Sequence, residues 1–174
     1  MIKNKYLSKV FYDYVEKIND INDIDLYDLF ETEDYVLYVV VDKNEETNTI
    51  KAKKFPLKKE DNKEDLILDL TKEEDKNQIY FLFKNSNDKS KDIKMYFKIA
   101  KYEQQNFDKS EAKNFELNDI IMDNGNKAWL VNSINSEENE IEVVKLPIVL
   151  NKLASTFINL ENEKIQKLIK EIWR

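Results

Sequence analysis

Between residues 3 and 19 the apolar side chains Leu7, Val10, Phe11, Tyr14, Val15 and Ile18 recur at intervals of three and four. That is the spacing of one face of an α-helix, and it predicts an amphipathic N-terminal helix. A short second helix is expected over Leu26 to Glu31, with Asp25 as its N-cap. The period then changes. "DYVLYVVVD", Asp34 to Asp42, is a near-continuous apolar run rich in β-branched and aromatic residues, which predicts a strand buried on both faces. "TIKAKKF", Thr49 to Phe55, is placed to pair with it across a polar loop. "LILDL" (66–70) reads as a strand, and "QIYFLFK" (78–84) with "DIKMYFKIAKY" (92–102) as a second hairpin. The two hairpins resemble each other in composition alone, so no internal repeat is read from them.

After a polar stretch, 102–114, three short apolar runs follow: "DIIMD", "KAWLVNSI" and "EIEVVKL". They predict a three-stranded meander from Asp119 to Leu146, with Pro147 at its end. The meander is similar in pattern to segments of small SH3-like barrels, over about a fifth of the chain, a likeness too generic to name a family. Its first turn holds Gly125, the only glycine. Asn124-Gly125 between alternating apolar runs predicts a tight hairpin with glycine at positive φ. From Leu150 on, Leu153, Ala154, Phe157, Ile165, Leu168, Ile169 and Ile172 form a helical stripe. It reads as a C-terminal helix, continuous or split at Asn159 and Asn162, with Trp173 as a core anchor or an exposed contact.

This order of elements predicts an α+β fold: N-terminal amphipathic helices, a mostly antiparallel sheet ending in the meander, and a C-terminal helix. At 174 residues the chain fits a single domain, 1–174, with a possible subdivision near 103–114 into 1–102 and 115–174.

Composition narrows the chemistry. The chain has no cysteine and no histidine, and its one arginine is Arg174. Cys/His zinc sites, Ser-His and Cys-His nucleophile pairs and internal guanidinium forks are therefore excluded. "DIK", Asp92 to Lys94, has the local form of a carboxylate–lysine nuclease motif, but the tripeptide is expected by chance in so lysine- and aspartate-rich a chain. No catalytic residue, metal ligand or cofactor is assigned. No apolar run nears the roughly 20 residues that span a bilayer, so a cytoplasmic protein without a membrane partner is expected.

Charge is unevenly spread. Phe11 to Asp34 holds nine acids and one lysine, a net −8 against −7 for the whole chain. In the expected helix Asp13, Glu16 and Asp20 share a face. The partner-binding surface is accordingly placed on Asp13, Glu16, Asp20, Asp23, Asp25, Asp28, Glu31 and Tyr27, facing a protein with a basic surface, such as a nucleic-acid-handling enzyme. Lys51 to Lys63 is the basic counterpart, at net +4. The acidic balance and the missing arginines argue against direct nucleic-acid binding. The function expected is that of a non-catalytic inhibitor or immunity-type protein. The alternatives are an assembly component of a phage-like particle and a carboxylate-dependent nuclease.

Overall fold

The computed structural model describes residues 11–15, 21–58, 65–85, 102–149 and 155–174. They form two sheets joined by short turns. In the N-terminal half the strands are β1 (Phe11–Val15), β2 (Leu29–Glu31), β3 (Leu37–Asn44), β4 (Thr49–Lys54), β5 (Leu66–Asp69) and β6 (Phe81–Asn85). In the C-terminal half they are β7 (Gln104–Gln105), β8 (Ile120–Asp123), β9 (Ala128–Asn135), β10 (Glu140–Lys145), β11 (Ile148–Val149), β12 (Ser155–Asn159) and β13 (Ile169–Trp173). Among the described residues helix is confined to α1 (Glu73–Lys76), α2 (Glu163–Gln166) and the 3-10 turns Ile21–Asp23 and Ala112–Asn114.

The two halves are copies of one another. The first sheet has the order β11-β1-β6-β2-β3-β4-β5 and the second β12-β10-β9-β8-β13-β7. With β11 set aside, the second order is the first reversed, strand for strand. Residues 21–57 match 112–148 in sequence without a gap, bringing together Leu26 and Leu117, Asp28 and Asp119, Val40 and Val131, Asn48 and Asn139, Pro56 and Pro147. The backbone repeats as faithfully. Both X-Pro bonds, Phe55-Pro56 and Leu146-Pro147, are cis, and among the described residues the six non-glycine residues at positive φ fall into the matched pairs Tyr27/Asn118, Tyr35/Asn126 and Asn48/Asn139. Asparagine tolerates this region better than most residues, so four of the six are its usual occupants and the two tyrosines are held there by their turns.

Packing explains why both copies are needed. Each half has its own core, Phe30, Val40, Ile50 and Leu82 in one and Ile121, Val131, Ile141 and Ile172 in the other. The opposite faces of the same strands meet in a third cluster that draws on both halves, including Tyr12, Leu29, Val39 and Phe83 with Tyr102, Ile120, Leu130 and Trp173. The halves also exchange backbone. After its cis proline the C-terminal copy runs parallel to the first strand of the N-terminal copy, Tyr12 beside Val149. Reciprocally, Lys58 bridges Tyr102 in parallel, with Tyr102 N donating to Leu57 O at 2.9 Å.

The α+β expectation is thus corrected to a mostly β architecture. Residues 11–15 of the expected N-terminal helix are strand β1, paired antiparallel with β6; the rest of that helix, and the strand expected over 92–101, lie outside the described residues. Leu26–Glu31 is a turn followed by β2, because Tyr27 at φ 69° breaks any helix there. Strands β8, β9 and β10 are not a separate C-terminal meander but the middle of a six-stranded sheet.

The expected C-terminal helix is replaced by β12, the single turn α2 and β13; its first residues, 150–154, lie outside the described residues. Thr156, Phe157 and Ile158 favour a strand, and Asn162 caps α2 by accepting from Lys164 N at 3.0 Å. A register irregularity between Ile169 and Glu171 puts an extra residue into β13, so Ile169 and Ile172 face the same core at a spacing that imitates a helix. Trp173 is buried in the shared core.

Gly125 also differs from expectation. No glycine is at positive φ; Asn126 is, at 66°. The hairpin closes through Asn126 N to Asp123 O at 3.1 Å, and the left-handed residue follows the turn's two central positions. Its counterpart Tyr35 has φ 66°, and the residue matching Gly125 there is Asp34.

Candidate binding surface

The acid-rich segment does different work at different residues. Asp28 is 1% exposed. Its Oδ2 accepts from Asp25 N at 2.8 Å and from Lys84 Nζ at 2.9 Å, while Lys84 also reaches Asp25 Oδ2 at 3.1 Å and the carbonyl of Asp23. Asp28 O accepts from Val40 N at 2.9 Å, docking the turn on β3. Asp23, Asp25 and Asp28 therefore converge on one lysine and stitch the entry of the half to its last strand. Burial pulls the Lys84 ammonium down, but hydrogen bonds and charge from Asp28 and Asp25 outweigh it and leave the pKa raised. Burial, reinforced by the Asp28 charge, holds the Tyr12 phenol well above its usual range.

The same device recurs in the C-terminal half. Asp119 is fully buried and accepts from Glu116 N, Arg174 Nε and Arg174 Nη2, each at 2.8 Å. Arg174 also donates to Asn114 O at 3.1 Å, matching Lys84 and Asp23. The hydrogen bonds of Asp119 raise the Arg174 pKa against the opposing effect of desolvation. Repetition at a matched site identifies the Asp25–Asp28 cluster as part of the fold.

Glu31 is 4% exposed, on the shared-core side of β2. Desolvation raises its pKa, opposed by Lys145 and Lys127 from the other half. Its counterpart is Met122, which lies in the shared core. Tyr27 takes part in the turn at positive φ, and its carbonyl accepts from the Tyr12 hydroxyl at 3.4 Å. Asp13 lies in β1 opposite Lys84, so the helical face expected to group Asp13, Glu16 and Asp20 does not form at Asp13. The Asp13 side chain, Glu16 and Asp20 are outside the described residues, as are Asp92, Lys94 and residues 59–63 of the basic stretch. Lys51 and Lys53 instead flank Asp65, at 4.0 and 3.2 Å.

The β2–β3 turn of this region faces outward. Glu33, Asp34 and Tyr35 are all exposed, Tyr35 at 43%. Lys127 Nζ lies 4.9 Å from the centroid of the Tyr35 ring, and Asn126 Nδ2 approaches Asp34 O at 3.5 Å. An ammonium over a tyrosine face is a cation–π arrangement. The turn therefore combines two carboxylates with an aromatic face suited to lysine. Sequence reading passed over Tyr35 because it lies outside the supposed helices; the signal available was an aromatic residue directly after two acids in a turn.

A polar depression of about 420 Å³ lies between β7 and β13, lined by Gln104, Gln105, Phe107, Lys109 and Lys170 among others. Lys109 is already committed to Ile169 O at 2.6 Å. Among the described residues no three Asp or Glu side chains gather closely enough to hold a metal ion, and no helix is long and apolar enough to cross a membrane. Comparison of the chain with protein-family models, with curated proteins and with solved structures finds no match.

Proposed function

We propose that the protein is a non-catalytic binding protein of the inhibitor type, which covers a basic surface of another protein with the turn Glu33–Asp34–Tyr35. The observation that carries this reading is Lys127 Nζ at 4.9 Å over the Tyr35 ring, beside two exposed carboxylates. A lysine of the partner would take the place of Lys127 over this ring and meet the same local negative charge. Exposed charges of this kind raise association rates and lend specificity more than affinity. The acids at Asp28 and Glu31, being buried, are withdrawn from the contact surface.

The test is recovery of a basic partner from the native host by the wild type, set against a Glu33→Lys, Asp34→Lys, Tyr35→Ala variant of matched circular dichroism. The expected result is at least a tenfold loss of affinity, with the loss in the on-rate and dependent on salt. A partner held equally by both proteins would overturn the placement on this turn.

A further inference from the structure

The matched halves carry opposite charges at one position that lies beside an exposed apolar side chain. Across β4 and β5, Lys51 sits directly beside Ile67; across β10 and β12, Glu142 sits directly beside Phe157. Lys51 and Glu142 occupy the same position in the repeat, as do Ile67 and Phe157. Ile67 is 62% exposed and Phe157 61%, and β5 and β12 each end their sheet among the described residues. The two patches thus share an apolar centre and carry opposite charges beside it. Lys51 and Lys53 share Asp65, at 4.0 and 3.2 Å, so among these three side chains one positive charge is in excess. Glu142 accepts from the neutral groups Asn132 Nδ2 at 2.8 Å and Ser133 Oγ at 3.3 Å, so its negative charge is not cancelled there.

We infer that copies of this chain associate head to tail. The β4–β5 face of one copy packs on the β10–β12 face of the next, with Ile67 against Phe157 and Lys51 against Glu142. Packing like on like would oppose lysine to lysine or glutamate to glutamate, whereas the unlike arrangement pairs opposite charges over the apolar contact. The patches lie at the outer ends of the sheets. A contact between unlike faces leaves one free face at each end, so growth is open and rises with concentration. This inference goes beyond the proposed binding activity and uses none of the residues of the Glu33–Tyr35 turn.

Sedimentation velocity of the full chain, from low micromolar to about 1 mM, reads the association directly. The expected result is a mass that climbs with concentration, falls to the monomer's in Lys51→Glu or Glu142→Lys, and climbs again in the double exchange Lys51→Glu with Glu142→Lys. Ile67→Glu and Phe157→Lys each block one face. Separately each should stay monomeric, and mixed they should form a discrete one-to-one dimer through their remaining faces. This second pair keeps the test sound if either charge variant misfolds by circular dichroism. A monomer at every concentration, a closed dimer indifferent to the charge exchange, or a blocked pair that fails to associate on mixing would each overturn the inference.

Discussion

Asp28 and Asp119 do the same job in the two halves: each buried carboxylate accepts the backbone N–H three residues before it and a cation from the last strand of its own half. The cations differ. Lys84 offers an ammonium at 2.9 Å, while Arg174 lays two guanidinium nitrogens on the two oxygens of Asp119, each at 2.8 Å. A bidentate fork is the more specific geometry.

The first prediction follows from that difference. Removing one partner of a buried pair leaves a desolvated charge and costs roughly 3 kcal/mol. Arg174→Ala is expected to lower stability by about that amount in urea unfolding, because it strands the fully buried Asp119 carboxylate, and Asp119→Ala by somewhat less because the arginine it leaves behind is partly exposed. Arg174→Lys should recover most of the loss, since lysine serves the matched site in the other half. An effect below about 0.5 kcal/mol for Asp119→Ala would show the pair to be incidental.

Glu31 carries a pH-dependent prediction. Burial raises its pKa above the ordinary 4.5, against the pull of Lys145 and Lys127. The folded state therefore binds the Glu31 proton more tightly than the unfolded state does. Its contribution to stability is fully present below the unfolded value and is lost as pH rises through the raised folded value. Glu31→Met, which installs the residue of the matched position, should remove this dependence. At neutral pH it should stabilise the protein by about 1 kcal/mol, because a buried charge gives way to an apolar side chain of similar length. The measurement is urea unfolding of both proteins from pH 4 to 8; parallel curves would refute the assignment.

The turn after β8 yields an ordering. A Cβ on Gly125 would lie 3.3 Å from Asp123 Oδ1, an oxygen that accepts from both Gly125 N and Lys127 N. Gly125→Ala is therefore expected to cost less than about 1 kcal/mol, since the φ at this residue is not positive. Asn126→Val should cost more, because a β-branched side chain would be forced into the left-handed region. Thermal unfolding of the two variants decides; the reverse order would mean that the glycine, after all, carries the turn.

That turn shows where the sequence could be read and where it could not. "NG" between apolar runs correctly marked a reversal, but not which residue takes the unusual φ, since asparagine, which stands at both 124 and 126, tolerates the left-handed region. The strands at 37–44 and 49–54 were legible because β-branched residues crowd them. The C-terminal strands were not, because the β-bulge in β13 spaces Ile169 and Ile172 by three. The acid-rich segment was legible as charge but not as surface. Tallying charge by segment counts Asp28 and Glu31 with the exposed acids, and only tertiary structure shows that their carboxyls point inward. The duplication itself was in plain view as a gapless match of 21–57 to 112–148, hidden by low identity and by a search for likeness between adjacent hairpins instead of between the two ends of the chain.

The duplication leads to the last prediction, which concerns cooperativity. If the halves were beads on a string, a mutation in one would lower the stability of that half alone and split the unfolding transition. They are not packed that way. Leu29 and Ile120 are matched residues, and both lie in the cluster to which each half contributes one face of its sheet. Truncating either side chain removes contacts from both sheets at once. Leu29→Ala and Ile120→Ala are each expected to cost about 2–5 kcal/mol. Each should shift a single transition that fluorescence of Trp129 and Trp173, both in the C-terminal half, and far-ultraviolet circular dichroism of the whole chain report at the same midpoint. Phe30→Ala, in the core private to the N-terminal half, is the control. Should Leu29→Ala leave the tryptophan signal at its wild-type midpoint while the circular dichroism splits, the shared core would not couple the halves, and each would have to be treated as a separate folding unit.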